Sequence, residues 1–209
     1  AIGEPLNARY TRLSGTSMAT PHVAGAAAIL VQRYPDLKAD RLEALLTSTA
    51  ARPAESSVFQ QGAGVVDVSR VVSQSVWSST SDVSAYLRWP HRAAVRRDLT
   101  YRNDGAKPVT LRLGFQGARL PTGLFRLPSA VTIPPRAERT VSLTIDPRKG
   151  RPGELYGGRV VASGPGGVTV TTPVSAFVED EAYDLEFDVT DVHGDEVTAV
   201  DGFLLPPMV

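Results

Sequence analysis

A helical segment, then an antiparallel β-sandwich, then the start of a further β segment: this α+β, multidomain order is what the 209-residue sequence predicts. Three observations predict it. Apolar residues in 1–78 recur at helical spacing between tight glycine turns. From about residue 83 the apolar period drops to two. Residues 179–209 then change character, carrying 10 of the 22 acids and none of the 22 Lys and Arg. With 42% apolar and 21% charged residues, the composition is that of a globular protein.

The first helix is predicted from Ser17 to about Arg33, where Ala19, Ala24, Gly25, Ala26, Ala27 and Ala28 lead into Ile29, Leu30 and Val31 before Tyr34-Pro35 stops it. A helix apolar and small on nearly every side is expected to lie buried against a larger body. A second helix is predicted from about Ala39 to Thr49, with Leu42, Leu45 and Leu46 on one face and Asp40 in its first turn. Gly62-Ala63-Gly64 makes a turn, and Asp67 caps a short third helix through Val72. No set of strands accompanies these helices, so their covering surface is expected upstream of residue 1.

Ser73 to Asp82, with five Ser and one Thr, reads as a linker. Beyond it Val109, Leu111, Leu113 and Phe115 alternate with Thr110, Arg112 and Gly114, and Val141, Leu143 and Ile145 with Ser142 and Thr144. Further strands are predicted near 83–89, 94–103, 130–133, 157–163 and 168–177. Turn signals separate them at Asn103-Asp104-Gly105, Pro134-Pro135, Lys149-Gly150 and Gly164-Pro165-Gly166-Gly167. About seven short strands in about a hundred residues point to a sandwich of immunoglobulin or fibronectin outline. After Asp180, Tyr183, Leu185, Phe187 and Val189 alternate with acids and Thr190. His193-Gly194-Asp195 then turns the chain toward Val197 to Val200. The organisation expected is 1–78 helical, 79–180 sandwich and 181–209 a truncated β segment.

Several function classes drop out. With no cysteine, the chain has no disulfide, thiolate zinc site or cysteine nucleophile. The longest unbroken apolar run, Val23 to Val31, is nine residues and too short to span a bilayer. The basic residues are 19 Arg and 3 Lys set singly among apolar neighbours, so no nucleic-acid stripe is visible. Arg96 and Arg97 read as solvated, and Trp89 and Tyr101 as strand residues that suit core packing. The opening Ala1 to Tyr10 has neither an initiator Met nor a leader pattern, as expected of an excised piece.

The chemistry is concentrated in Leu13-Ser14-Gly15-Thr16-Ser17-Met18-Ala19-Thr20-Pro21-His22-Val23-Ala24-Gly25. Gly15 permits a sharp turn into the helix, and Ser17 sits at its start, where the first N–H groups lack internal partners and the macrodipole is positive. A hydroxyl there can attack a carbonyl while its own N–H steadies the developing oxyanion. Pro21 is tolerated because the helix has barely begun. The plainer reading of Ser17 is a helix-capping serine.

This string resembles the nucleophile motif of the subtilisin-like serine peptidases, Gly-Thr-Ser-Met-Ala-x-Pro-His, and the resemblance covers roughly residues 1–75. It continues through Tyr34-Pro35, a helix ending in Ala44-Leu45-Leu46, and Gln61-Gly62-Ala63-Gly64 before a final helix. The resemblance implies the C-terminal part of a subtilisin-like α/β catalytic domain with Ser17 as the catalytic serine and Thr16 supporting the oxyanion site. It also implies a polypeptide substrate, secretion and no cofactor. Family members often hold structural calcium, but no metal site is assignable to residues here. The family's order is Asp, His, Ser, so both triad partners and the side-chain oxyanion donor are expected upstream. His22 belongs to the serine motif and reads as structural, while His91 and His193 read as loop residues.

Two functions compete: a serine endopeptidase carrying an accessory sandwich, or a non-catalytic module whose sandwich binds a surface or polysaccharide beside an inert serine. An α/β-hydrolase elbow is a third, weaker reading, because that fold puts its acid and His after the serine. Removing the base from such a triad costs on the order of 10⁶ in turnover, a value measured in this family. The 209-residue chain alone is therefore predicted not to hydrolyse peptides. A peptidase assay of the chain beside its Ser17→Ala variant checks this, and turnover that the substitution abolishes would overturn it.

Overall fold

The computed structural model describes residues 4–7, 9–51, 57–183 and 189–197. A short antiparallel hairpin, β1 (Glu4–Asn7) and β2 (Tyr10–Arg12), leads into α1 (Thr16–Arg33). Then come α2 (Ala39–Ser48), the single turn α3 (Val58–Gln61) and α4 (Val68–Ser73). Asp67 caps α4 as its sequence position predicts, its carboxylate accepting from the Arg70 amide at 2.9 Å. At Gly64, φ is +130 and a Cβ would meet the Ala51 carbonyl oxygen at 2.4 Å, so only glycine fits beside the Ala51–Val65 bridge.

The rest is a two-layer sandwich. Its strands are β3 (Val76–Ser78), β4 (Val83–Leu87), β5 (Val95–Asn103), β6 (Val109–Gln116), β7 (Phe125–Arg126), β8 (Ala130–Ile133), β9 (Ala137–Ile145), β10 (Leu155–Ser163) and β11 (Thr169–Val178). One sheet has the order β4-β11-β10-β6-β8, the other β3-β5-β9-β7. The period-two pattern explains the layering: Leu99 and Tyr101 from β5 and Val141, Leu143 and Ile145 from β9 face Val160, Ala162, Val170, Val174, Ala176 and Val178 across one core.

Three features differ from the sequence reading. The sandwich is antiparallel as expected except at one edge, where β4 runs parallel to β11 with Val83 opposite Val174. The chain reaches β4 by crossing from β3 in the other sheet, and such a crossing fixes no hairpin direction. The polar stretch 73–82, read as a linker, holds β3, whose three residues are all buried. Val76 points into the sandwich core while Trp77 points onto the helices, so a three-residue strand covered on both sides shows no alternation. Trp89 lies in a bend beyond β4 and is half-buried, its amide donating to Glu179.

The helical segment is only partly covered, as its reading as helices whose covering surface lies elsewhere requires. In α1 only Ala26 and Leu30 are buried, while Val23, Ile29 and Val31 are 41%, 46% and 42% exposed. A β hairpin precedes these helices where no strands were read. Of the acidic C-terminal segment, the strand expected at Tyr183–Val189 falls mostly on 184–188, outside the described residues, as do 198–200 of its partner. The turn between them is present, closed by a Thr190–Glu196 bridge, with Asp191 accepting from the amides of His193 and Asp195.

Two buried polar side chains in β5 have opposite fates. Asn103 is fully satisfied: Nδ2 lies 2.8 Å from the Lys107 carbonyl and 3.2 Å from those of Ile133 and Pro134, and Oδ1 accepts from the Gly105 amide at 2.9 Å. The hydroxyl of Tyr101 is buried with no partner among the described residues, and burial pushes its titration up. Asn103→Ala is thus predicted to destabilise the fold by about 2–3 kcal/mol, and Tyr101→Phe to leave it unchanged or raise it by about 1 kcal/mol. Urea midpoints of both variants against the parent chain test the pair, and a large loss in Tyr101→Phe would contradict the assignment.

Candidate functional site

Gly15 precedes the first turn of α1 with φ +153 and ψ +166, a backbone region open essentially to glycine alone. Its carbonyl accepts from the amides of both Met18 and Ala19 at 3.1 Å, which closes the turn. Thr16 and Ser17 are the first two residues of the helix, and both are exposed. Neither amide falls within the i→i−4 ladder, so both N–H groups are left for an outside acceptor at the positive end of an 18-residue helix. The Ser17 hydroxyl has no hydrogen-bond partner among the described residues. No side-chain cap closes the turn.

Pro21 lies further in than the sequence reading supposed. It is the sixth residue of α1, so it withholds the N–H that would bond the Ser17 carbonyl. The Thr20 hydroxyl donates to the Thr16 carbonyl at 2.9 Å, and His22 places Nδ1 2.7 Å from the Met18 carbonyl. Because a carbonyl can only accept, Nδ1 carries the proton and His22 is engaged with its own helix. His91 likewise contacts the Leu87 carbonyl at 3.1 Å, and no His or Asp precedes Ser17 in the sequence. The site therefore brings together Ser17, Thr16 and their amides, without an imidazole base. Among the described residues no cluster of His, Asp and Glu could hold a metal ion, and no helix is long and apolar enough to cross a membrane.

A second polar centre was not visible in the sequence. Trp77 donates Nε1–H to Asp104 Oδ2 at 2.9 Å, and the same carboxylate accepts from Arg41 at 2.7 Å and Arg102 at 2.7 Å. The Arg41 guanidinium lies 5.0 Å from the Trp77 ring centroid. Trp77 is packed with Leu30, Ala44, Leu45 and Val71, so this cluster joins helices to sandwich. Its members are up to 63 residues apart, and only the turn signal at Asn103-Asp104-Gly105 marked any of them.

By sequence comparison the helical segment is similar to subtilases. Residues 2–64 match the model of the subtilase family, Peptidase_S8, and the β-sandwich lies beyond that match. Subtilisin DY of Bacillus licheniformis is 49% identical over 59 residues, 28% of this chain and 21% of the relative. Minor extracellular protease Vpr of Bacillus subtilis is 25% identical over 185 residues, 83% of this chain and 22% of the relative. The chain thus spans about a fifth of the length of these two relatives. Among solved structures, the ASH/PapD-like domain of human CEP192 matches with a TM-score of 0.42 and 17% identity, covering 52% of this chain and 87% of that one.

The Asp104 cluster titrates. Burial favours the neutral acid and is the largest single influence, but hydrogen bonds from Arg102 and Trp77 and the charges of Arg41 and Arg102 together outweigh it. They hold the carboxyl below its ordinary 3.8. A carboxyl lowered on folding adds stability above its unfolded value, and that stability is lost as pH falls through the folded value. Asp104→Asn is therefore predicted to be less stable than the parent at pH 7, with the gap narrowing at about pH 3. Urea midpoints at the two pH values measure it, and an unchanged gap would count against the cluster's role.

Proposed function

We propose that this chain is the serine-bearing part of a secreted subtilisin-like endopeptidase, with Ser17 as nucleophile and the sandwich as an accessory domain. One observation carries the reading: the family match over 2–64 contains a serine held exposed and unpartnered at the open first turn of α1. The chemistry follows from that geometry. Ser17 Oγ attacks the peptide carbonyl carbon, and its proton passes to a histidine supplied by sequence preceding this chain, as the family's order Asp, His, Ser requires. The oxyanion that forms receives the Ser17 amide, with Thr16 beside it supporting the site. Collapse expels the amine, which takes the proton from the imidazolium, and water releases the acyl group by the same route in reverse.

The substrate is a polypeptide, and the mechanism needs no cofactor. Secretion is supported by relatives named as extracellular proteases, from Serratia marcescens and Bacillus subtilis. The alignment with the second runs for 185 residues, well past the family match, which supports reading helical segment and sandwich as parts of one protease.

A serine-directed fluorophosphonate probe on the full-length parent protein tests the proposal. Covalent labelling is expected, and Ser17→Ala is expected to abolish it. An unlabelled parent would favour the inert-serine alternative. The functional surface would then be the outer face of the sandwich, where Tyr86 and Phe177 lie 5.4 Å apart beside exposed Leu155.

A further inference from the structure

We propose that the cleft between the helical segment and the sandwich is a binding site for a multivalent oxyanion of phosphate or sulfate type. The cleft has a volume of about 520 Å³, and four arginines line it. Arg33 ends α1 and Arg41 lies in α2, while Arg102 lies on β5 and Arg136 in the turn before β9. Each half of the protein therefore contributes two guanidinium groups, and a bound anion would bridge them.

The local carboxylates are already engaged. Asp104 is shared by Arg41 and Arg102, each at 2.7 Å, and Glu138 accepts from Arg102 at 3.2 Å. Among the described residues no carboxylate pairs with Arg33 or Arg136. Arg33 is instead held at the rim, its guanidinium 5.7 Å from the Tyr34 ring centroid and its Nε 3.4 Å from the Tyr34 hydroxyl. Four arginines lining one concavity, two of them with no carboxylate partner among the described residues, are suited to oxyanion recognition.

Arg136 adds an independent observation. Its φ is +51, a left-handed conformation costly for any side chain but glycine or asparagine, and its amide is tied to the Gly105 carbonyl at 3.3 Å. A glycine or asparagine would make this turn at lower cost. Arginine at this position places its charge at the cleft. The cleft lies sixteen residues along α1 from Ser17, about 24 Å by helical rise. The proposal stands whether or not Ser17 is a nucleophile.

Calorimetric titration of the 209-residue chain with inorganic phosphate, at ionic strength held constant with chloride, tests the site. Saturable one-to-one binding displaced by sulfate is expected, and Arg33→Ala with Arg136→Ala is expected to remove it. Arg136→Asn separates ligand recognition from folding: the thermal midpoint should hold or rise while phosphate affinity falls roughly tenfold. Tripolyphosphate binding more tightly than phosphate would point to an anionic polymer, and equal affinity to a free anion. Heat that does not saturate, or binding that survives the double substitution, would overturn the proposal.

Discussion

One indole holds this molecule together. Trp77 sits on a strand of three residues, faces the helices and is 4% exposed, with Leu30, Ala44, Leu45 and Val71 around it. Its neighbour Val76 faces the opposite way into the sandwich core. A single dipeptide thus anchors two apolar clusters, and neither half can shift without opening one of them. Asp104 completes the joint by accepting the indole N–H together with two guanidiniums. Burial of that carboxylate opposes its charge, and the indole and guanidinium groups around it together outweigh the penalty.

The joint matters for the serine because α1 connects them. Leu30 lies in the Trp77 cluster near one end of the helix and Ser17 is the second residue at the other, so the orientation of the first turn is set from its far end. Gln74 reinforces this by bonding the Thr169 carbonyl at 3.1 Å and accepting its amide at 3.2 Å, which ties the exit of α4 to β11. The sandwich therefore meets the serine segment through the packing at the far end of α1.

Much of the fold was legible because periodicity survives wherever one face of an element is covered. Strands read near 83–89, 94–103, 109–115 and 157–163 stood out, as did Asp67 before α4, because each repeats one local rule over several residues. What stayed hidden is non-local. The strand at Val76–Ser78 is too short to alternate, and the parallel edge depends on which sheet β4 joins. The Asp104 cluster draws on residues that the fold alone brings together. At the site, Gly15 and Ser17 could be placed on a helix start from sequence, but not the depth of Pro21, which follows from where the helix begins. The small apolar residues of α1 signal burial without saying against what, and much of that helix is exposed here.

The parallel pairing of β4 with β11 has a consequence in time. The last strand of the sandwich is hydrogen-bonded between β4 and β10 and touches both β3 and α2, so nearly every layer waits for it. During vectorial synthesis the helices and ten strands emerge before β11 exists, with the β4 edge unpaired meanwhile. Completion of the five-stranded sheet waits for release of residues 169–178 from the translation machinery, and until then the Gln74–Thr169 pairing between the exit of α4 and the sandwich is unmade as well.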